Sequence, residues 1–275
     1  MSNKQTNNRI PIFAAIVGAL LLLAVGAYIL FQSGKRDAAP AGDEKASVAN
    51  AEAGSALAAA GMNAADRKAT EAVVRAYILE HPEIITEAVE ILQRREVATR
   101  LGAAKGALTK PFPGAEAGNP KGDVTMVEFT DYNCGFCRSS MVDVDRLLAS
   151  DGNIRLIYRE VPILSQTSRD AALWALAAAK QGKHKAFHRA MFSGGKPDAQ
   201  TIRVAATKAG MDVAAAQKFT ASTEAKAELE QNLEMMQQVG FNGTPTFIIG
   251  GQILEGAIGY DALKAAVAKA RKQML

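Results

Sequence analysis

The sequence predicts an α/β domain with a helical insertion, and three observations support this fold class. Apolar strand patterns at 124–130 and 154–158 flank a helical pattern at 139–150. A stretch that is helical almost throughout, broken mainly at glycines, follows at 168–238. Two short strand patterns around Gly250-Gly251 then predict a hairpin, and a final helical pattern completes the domain.

Charge and composition argue against several classes of function. The chain has 275 residues and a net charge of +4, and its Lys and Arg residues are scattered. The sequence contains no basic block interleaved with aromatic side chains, so we expect no nucleic-acid partner. Two cysteines cannot form the disulfide framework of a small secreted domain.

An uncharged apolar run at residues 10–32 predicts a transmembrane helix. About 20 such residues span the hydrocarbon core, whereas the apolar core of a signal peptide has roughly 7–15. Lys4 and Arg9 precede the run and predict a cytoplasmic N-terminus. Lys35 and Arg36 follow the run and weaken that orientation.

We therefore interpret residues 1–32 as a cytoplasmic N-terminus and a single-pass anchor. A buried core helix and a cleaved signal peptide are the alternatives, and Val25-Gly26-Ala27 is a candidate cleavage site. With an anchor or a cleaved signal the rest of the chain is exported. If the host is a bacterium, the anchor lies in the inner membrane and the rest in the periplasm, where disulfides persist.

Between the anchor and the α/β domain we expect a linker and a helical region. Residues 33–62 have almost no large apolar side chains, which predicts a flexible linker. Residues 63–110 contain two helical patterns, capped by Asn63 or Asp66 and broken at His81-Pro82. Their apolar seams favour self-association, and packing onto their own domain is the alternative.

The apolar seam of the second helix changes phase near residues 93–96, which predicts a kink, a rotation of the seam or a hinge. Residues 111–275 form the α/β domain, with the helical insertion at about 165–238. The segment 111–122, rich in Pro and Gly, is interpreted as its leading linker.

The two cysteines, Cys134 and Cys137, follow the first predicted strand directly. A disulfide staple across two residues would remove little chain entropy. At a helix N-terminus, by contrast, unpaired N–H groups stabilise a thiolate, which is the attacking species in disulfide exchange. We therefore predict that Cys134 is the nucleophile and Cys137 the resolving thiol, with Gly135 leaving space for a substrate chain.

A metal site is the third interpretation of the cysteine pair, and it lacks partners. A structural zinc site needs four ligands, and the sequence has no second cysteine pair. His184 and His188 lie four residues apart on a predicted helix, a spacing that can bind a metal, but far along the chain from the cysteines. We interpret them as helix-surface or packing residues and predict no metal and no cofactor.

Three motifs resemble the thioredoxin superfamily, and specifically its DsbA-like thiol–disulfide oxidoreductases. They are Val-Glu-Phe-Thr-Asp-Tyr-Asn-Cys-Gly-Phe-Cys at 127–137, Arg-Glu-Val-Pro-Ile-Leu at 159–164 and Gly-Thr-Pro-Thr-Phe at 243–247. The resemblance covers about residues 118–275. It implies a thioredoxin fold with a helical domain inserted between its two halves.

The resemblance also implies roles for residues outside the cysteine pair. Thr244-Pro245 matches the cis-proline loop that faces the cysteines and holds an extended substrate; the alternative is a trans proline that opens a strand. Glu128 matches a buried acid that assists proton transfer at the resolving thiol, and such a carboxyl should have a raised pKa. The alternative for Glu128 is a solvent-facing strand residue.

One departure from the family pattern concerns the two residues between the cysteines. Strongly oxidising members have Pro-His there, whereas this chain has Gly135 and Phe136. Phe136 cannot donate a hydrogen bond or a positive charge to a Cys134 thiolate, so we expect a weaker oxidant. This favours isomerisation or reduction, and Phe136 would widen an apolar surface for unfolded clients.

Residues 63–108 resemble the N-terminal helical region of suppressor-of-copper-sensitivity (ScsC-like) proteins, which forms a trimer in some disulfide isomerases. The resemblance implies a homo-oligomer, with a trimer favoured, that acts on exported proteins with disulfides and has a membrane redox partner. We thus expect a membrane-tethered disulfide isomerase. A DsbA-like oxidase, a dedicated reductase serving particular partners, a periplasmic holdase chaperone and a periplasmic metal-binding module are the alternatives.

Overall fold

The computed structural model of the protein describes residue 51 and residues 54–56, 58–61 and 63–273. The predicted membrane anchor at 10–32 lies outside these residues, as does most of the predicted linker. Within the described part of the chain, no helix is long and apolar enough to cross a bilayer.

The described part of the segment interpreted as a flexible linker is mostly helical. Ala51, residues 54–56 and Ala58-Ala59 are helical, and the Ala60 N–H donates to the Ala56 carbonyl at 3.1 Å. Alanine has the highest helix propensity of all residues, and here it outweighs the lack of large apolar side chains.

Two long helices follow, α1 (Ala64–Glu80) and α2 (Glu83–Leu108), close to the predicted bounds. Asn63 caps α1: its side-chain oxygen accepts the N–H of Asp66 at 3.1 Å, and the Asp66 carboxylate accepts the N–H of Asn63 at 2.9 Å. This reciprocal pair satisfies donors that the helix cannot pair internally. The described part of the chain divides into two compact units between Ile85 and Thr86, near the start of α2.

The apolar seam of α2 passes from exposed to buried along the helix. Val89 and Leu92 are 47% and 56% exposed, whereas Leu101, Ala104 and Leu108 are buried against the sheet. The predicted change of phase therefore marks where the seam meets the domain, and α2 continues through it without a break. The second half of α2 therefore packs onto its own domain, which was the alternative to self-association. The apolar face of the sheet needs such a cover.

The described residues form one five-stranded mixed sheet in the order β1-β3-β2-β4-β5. Strands β2 and β3 are parallel, and the other neighbouring pairs are antiparallel. The strands are β1 (Glu116–Gly118), β2 (Val124–Thr130), β3 (Ile154–Glu160), β4 (Thr246–Ile249) and β5 (Gln252–Glu255).

Strand β1 corrects the interpretation of residues 111–122 as a linker. It pairs with β3 at the sheet edge, and Arg155 of β3 contacts the Glu116 carboxylate at 2.9 Å. A three-residue strand between glycines and prolines shows no alternation, so its pairing depends on the neighbouring strand rather than on its own sequence.

The helices of this domain follow the predicted order, with the insertion between β3 and β4. The helix α3 begins four residues earlier than expected, because the Cys134 side chain caps it. The helices are α3 (Gly135–Ser150), α4 (Gln166–Lys180), α5 (His184–Gly194), α6 (Ala199–Lys208), α7 (Val213–Thr220), α8 (Thr223–Val239) and α9 (Tyr260–Lys272).

The sheet lies between two helical layers. Helices α3 and α9 cover one face, and α8 with the second half of α2 covers the other. The helices α4 to α7 form a separate core around Phe187, and Tyr132, Cys134 and Cys137 are part of it. The cysteine pair therefore lies where the inserted helices meet the sheet domain.

Arg159 of β3 holds the end of α2. Its buried guanidinium donates to the carbonyl oxygens of Ala107 and Lys110, to the Glu228 carboxylate at 3.0 Å and to the Asn232 amide oxygen at 3.2 Å. A cation at a helix C-terminus satisfies its free carbonyls and complements its dipole. This single side chain joins α2 and α8 to the sheet.

We expect Arg159→Ala to lower the free energy of unfolding by about 3–5 kcal/mol, because it leaves the Glu228 carboxylate, two backbone carbonyls and the Asn232 amide oxygen without this buried donor. Denaturant unfolding measures the loss. Arg94→Ala is the matched control, since its side chain is 68% exposed beside Glu90 and should cost less than about 0.5 kcal/mol. Equal losses in the two variants would contradict the assignment.

Candidate active site

Cys134 is the N-cap residue of α3. Its backbone is extended, with φ −81° and ψ 117°, and its sulfur accepts the Cys137 N–H at 3.1 Å. Strand β2 ends four residues before Cys134, so the strand directs the chain into this helix start. The first turn of the helix therefore supplies donors that stabilise a negative charge on this sulfur.

The two thiols have opposite environments. Both cysteines are free, and Cys137 is fully buried whereas Cys134 retains 5% exposure. A hydrogen bond from the Cys137 side chain, with further backbone donors, lowers the pKa of Cys134 to about 6. Burial raises the pKa of Cys137 well above that of a free thiol. Near neutral pH the pair therefore holds one thiolate, on Cys134.

The Thr244–Pro245 loop lies against this thiol. The Thr244–Pro245 peptide bond is cis, and the Cys134 thiol donates to the Thr244 carbonyl at 3.1 Å. The Pro245 carbonyl accepts the Gly256 N–H at 2.8 Å, which ties the loop to the chain after β5. The structure thus brings together two segments that are 110 residues apart in the sequence.

Glu128 is a buried carboxyl on the central strand β2. It lies between Tyr158 of β3 and Phe247 of β4 and is 1% exposed, so it does not face solvent. Burial first, and then the charges of Glu160 and Asp145, raise its pKa to about 8. Its neighbour on this face, Met126, packs against α3 and α9. No hydrogen bond in the described structure joins Glu128 to either cysteine.

An apolar rim surrounds the cysteine pair. Phe136 is 69% exposed, and Leu164 and Ile163 are 52% and 37% exposed. Gly135 is exposed, and a Cβ at this position would meet no atom within 4 Å. A substrate chain can therefore approach closely at Gly135, next to Cys134, and exposed apolar side chains are available for contact.

Asp131 is a positioning residue of the site that the sequence motif contains but to which the sequence analysis assigned no role. Its buried carboxylate accepts the N–H groups of Ile163 and Leu164, each at 2.9 Å, and the N–H of Asn133 at 2.8 Å. Its carbonyl accepts the Cys134 N–H at 3.0 Å. Asp131 therefore fixes the cysteine turn and the apolar rim in one arrangement.

The two histidines of α5 are buried, which removes the helix-surface alternative. His184 and His188 are 2% and 3% exposed and face β3. His184 lies 3.0 Å from the Glu160 carboxylate, and His188 lies 3.1 Å from the Tyr132 hydroxyl. Burial lowers the pKa of His188 well below its usual range and raises that of Glu160.

Two family profiles match the chain. The profile described as thioredoxin matches residues 113–269, which is more than half of the chain. The profile described as the copper resistance protein ScsC N-terminal domain matches residues 66–98. Together they cover the α/β domain and most of α1 and α2.

Several solved structures are similar to the chain. A thioredoxin-like oxidoreductase from Silicibacter pomeroyi is 41% identical, with 60% of this chain and 96% of that chain covered and a TM-score of 0.58. A linker-deletion mutant of ScsC from Proteus mirabilis is 25% identical, with 77% and 98% covered and a TM-score of 0.63. The thiol–disulfide exchange protein alpha-DsbA2 from Wolbachia pipientis is 25% identical, with 65% and 97% covered and a TM-score of 0.60.

A curated relative, the Na(+)/H(+) antiporter NhaA 3 from Salinispora tropica, is 26% identical over 192 residues. The match covers 66% of this chain and 29% of the antiporter. The similarity therefore concerns less than a third of that protein.

The rate of alkylation of Cys134 by iodoacetamide should rise with pH around a midpoint near 6, because the thiolate is the reactive form. Cys137→Ser keeps a side-chain hydrogen-bond donor at this position, and Cys137→Ala removes it. We therefore expect the midpoint of the Cys137→Ser protein to lie nearer to 6 than that of the Cys137→Ala protein. Mass spectrometry of quenched samples gives the rates. A midpoint at the free-cysteine value of about 8.5 in all three proteins would refute the assignment.

Glu128→Gln should become more stable relative to the unmodified protein as the pH rises. The folded carboxyl has a pKa of about 8, so between its unfolded value and 8 the folded state keeps a proton that the unfolded state has lost. Stability should then fall with rising pH in that window, and Gln cannot ionise. Denaturant unfolding should show that the stability difference between Glu128→Gln and the unmodified protein increases by a few kcal/mol from about pH 5 to about pH 8.

The exposed Glu87→Gln on α2 serves as the control for this effect, because the Glu87 side chain is not buried in the folded protein. Its stability difference from the unmodified protein should stay constant between the two pH values. A constant difference for Glu128→Gln as well would show that Glu128 is ionised normally in the folded state.

Proposed function

The chain belongs to the thioredoxin superfamily and is a DsbA/ScsC-like thiol–disulfide oxidoreductase, and we propose that it is an exported disulfide isomerase. The observation that carries the proposal is the asymmetry of the cysteine pair. Cys134 lies at a helix start, where donors lower its pKa, and Cys137 is a buried thiol whose pKa is raised.

The proposed reaction begins when the Cys134 thiolate attacks one sulfur of a substrate disulfide. An S–S bond forms between Cys134 and the substrate, the substrate disulfide breaks, and the second substrate sulfur leaves as a thiolate. The released substrate thiolate then attacks another substrate disulfide, and the thiolate freed there can displace Cys134. Each exchange makes one S–S bond and breaks one, so isomerisation needs no net oxidant.

The resolving step releases a substrate that does not rearrange. Cys137 loses its proton and attacks the Cys134 sulfur, which forms the Cys134–Cys137 disulfide and returns the substrate as a thiol. We propose that Glu128, with a pKa of about 8, exchanges this proton, directly or through water. The enzyme then needs a reducing partner, which we propose lies at the membrane.

The cis-proline loop and the apolar rim provide the proposed substrate site. An extended client chain would lie beside Thr244 and Pro245, with Gly135 allowing close approach to Cys134. Phe136, Ile163 and Leu164 would contact apolar side chains that a misfolded client exposes. This surface also supports the second class of function, a holdase chaperone that binds clients without redox turnover.

Two features favour isomerase over oxidase. Phe136 offers the Cys134 thiolate neither a charge nor a donor from its ring, which favours a weaker oxidant. The apolar seam on α1 is exposed, with Val73, Val74 and Tyr77 at 67%, 50% and 54%. We propose that a second and third copy of the chain cover this seam, which would place several cysteine pairs around one client.

We further propose that residues 10–32 anchor the protein in a bacterial inner membrane, with the catalytic domain in the periplasm. The apolar run in the sequence supports this location. A tethered, oligomeric enzyme would stay close to exported clients and to its membrane redox partner.

The test of oligomeric isomerisation uses a double substitution, Val74→Gln with Tyr77→Gln. We expect it to reduce the oligomer to monomers in analytical ultracentrifugation and to lower reactivation of a scrambled-disulfide substrate at least about tenfold. Single-turnover reduction of a model disulfide should not change, because α1 does not carry the cysteines. Arg75→Gln with Glu80→Gln on the same helix is the matched control.

Unchanged reactivation by the monomeric variant would contradict the role of α1. If the protein instead oxidises a reduced substrate readily but fails to reactivate a scrambled one, it is an oxidase. Cys134→Ala distinguishes a holdase from an isomerase. A holdase still protects its client from aggregation without this thiol, whereas an isomerase loses all reactivation of the scrambled substrate.

A further inference from the structure

A buried polar cluster lies behind the cysteine pair and has no part in the proposed exchange reaction. It comprises Tyr132, Glu160, His184 and His188, each between 1% and 3% exposed. Tyr132 lies just after β2, Glu160 ends β3, and the histidines lie one turn apart on α5. Four side chains from three neighbouring segments therefore direct polar atoms to one point.

The geometry is that of a small coordination shell. The Glu160 Oε1 atom lies 3.0 Å from His184 Nε2 and 3.2 Å from the Tyr132 hydroxyl, and that hydroxyl lies 3.1 Å from His188 Nδ1. The donor atoms of Glu160, His184 and His188 all lie within 4.8 Å of one another. Ligands at about 2.0–2.1 Å from a tetrahedral metal are roughly 3.3 Å apart, close to these distances.

The internal hydrogen bonds of the cluster leave part of it unsatisfied. Glu160 Oε2 and His184 Nδ1 are buried and have no hydrogen-bond partner in the described structure. An unpaired buried carboxylate oxygen is unfavourable, and a cation beside Glu160 would compensate it. A proton on His184 Nδ1 would leave its Nε2 lone pair free to bind a metal.

The local charge also favours a divalent cation. Glu128 lies opposite Tyr158, two residues before Glu160 on β3, so both carboxyls lie on this face of the sheet. Arg189, next to His188, is already paired with Asp145 at 2.5 Å. A divalent cation between the four side chains would favour the ionised form of Glu160 and balance its charge.

We propose that Glu160, His184 and His188, with Tyr132 as the fourth ligand, form a site for a borderline divalent metal ion such as Zn²⁺. Imidazole and carboxylate ligands suit Zn²⁺ and do not favour soft Cu(I), which prefers thiolates. Four protein ligands and near-complete burial give a closed, structural site. The metal would fix Tyr132, and through it the start of the cysteine turn.

The cysteines must be removed from the test, because they can bind metals themselves. The parent protein is therefore the full chain with Cys134→Ser and Cys137→Ser, stripped with a chelator and titrated with Zn²⁺ by calorimetry. We expect one equivalent to bind. His188→Gln in this background removes a direct ligand. It should weaken Zn²⁺ binding by more than about 10- to 100-fold, which is the effect of losing a residue that only supports a ligand.

Two further variants sharpen the result. Tyr132→Phe removes only the hydroxyl oxygen and should weaken binding less than His188→Gln does. His81→Gln is the control, because the His81 side chain is 41% exposed and belongs to a different part of the chain. It should bind Zn²⁺ as the parent does.

Co²⁺ provides a second readout that does not depend on the folding of a variant. In the parent protein it should give the intense visible bands of a tetrahedral site. Absence of Zn²⁺ binding in the parent, equal binding by folded His188→Gln, or a Co²⁺ spectrum without tetrahedral bands would each overturn the proposal. In those cases the cluster is a hydrogen-bond network only.

Discussion

The parallel pairing of β2 and β3 is the constraint on which the rest of the site depends. Their register places Thr130 opposite Glu160, so the carboxyl ends of both strands meet at one edge of the sheet. The chain that leaves β2 turns at Asp131 and caps α3 with Cys134, while β4, which is antiparallel to β2, begins at the same edge just after Pro245. One register therefore brings a thiol, a cis-proline loop and a buried polar cluster together.

The consequence of this arrangement is a chemical difference between two otherwise identical side chains. Cys134 receives donors from the first turn of α3 and remains slightly exposed, whereas Cys137 lies one turn deeper, between the helix and the inserted domain. The N-terminus of a helix stabilises an anion and burial destabilises one, so Cys134 is the attacking thiolate and Cys137 stays protonated. The adjacent residues of β3 divide their roles in a similar way. Arg159 points to one face and holds α2, and Glu160 points to the other face and meets the histidines.

The sequence predicts most of this fold from local signals. The order of strands and helices, the cap at Asn63 and the hairpin around Gly250-Gly251 follow from residue patterns with short range. The strand β1 does not, because its three residues pair only in response to β3. The cysteine roles follow from their place at a helix start. The metal-type cluster does not, because His184 and His188 meet Glu160 and Tyr132 only when α5 packs on the sheet, and no spacing along the chain shows this.

The direct test of the account is to trap the first covalent intermediate. Full chains with Cys137→Ser or with Cys134→Ser are incubated with excess glutathione disulfide near neutral pH, and the adducts are counted over time by mass spectrometry. The account predicts fast formation of a mixed disulfide on Cys134 in the Cys137→Ser protein, and slow or no reaction at the buried Cys137 in the Cys134→Ser protein. Equal rates, or faster reaction at Cys137, would contradict it.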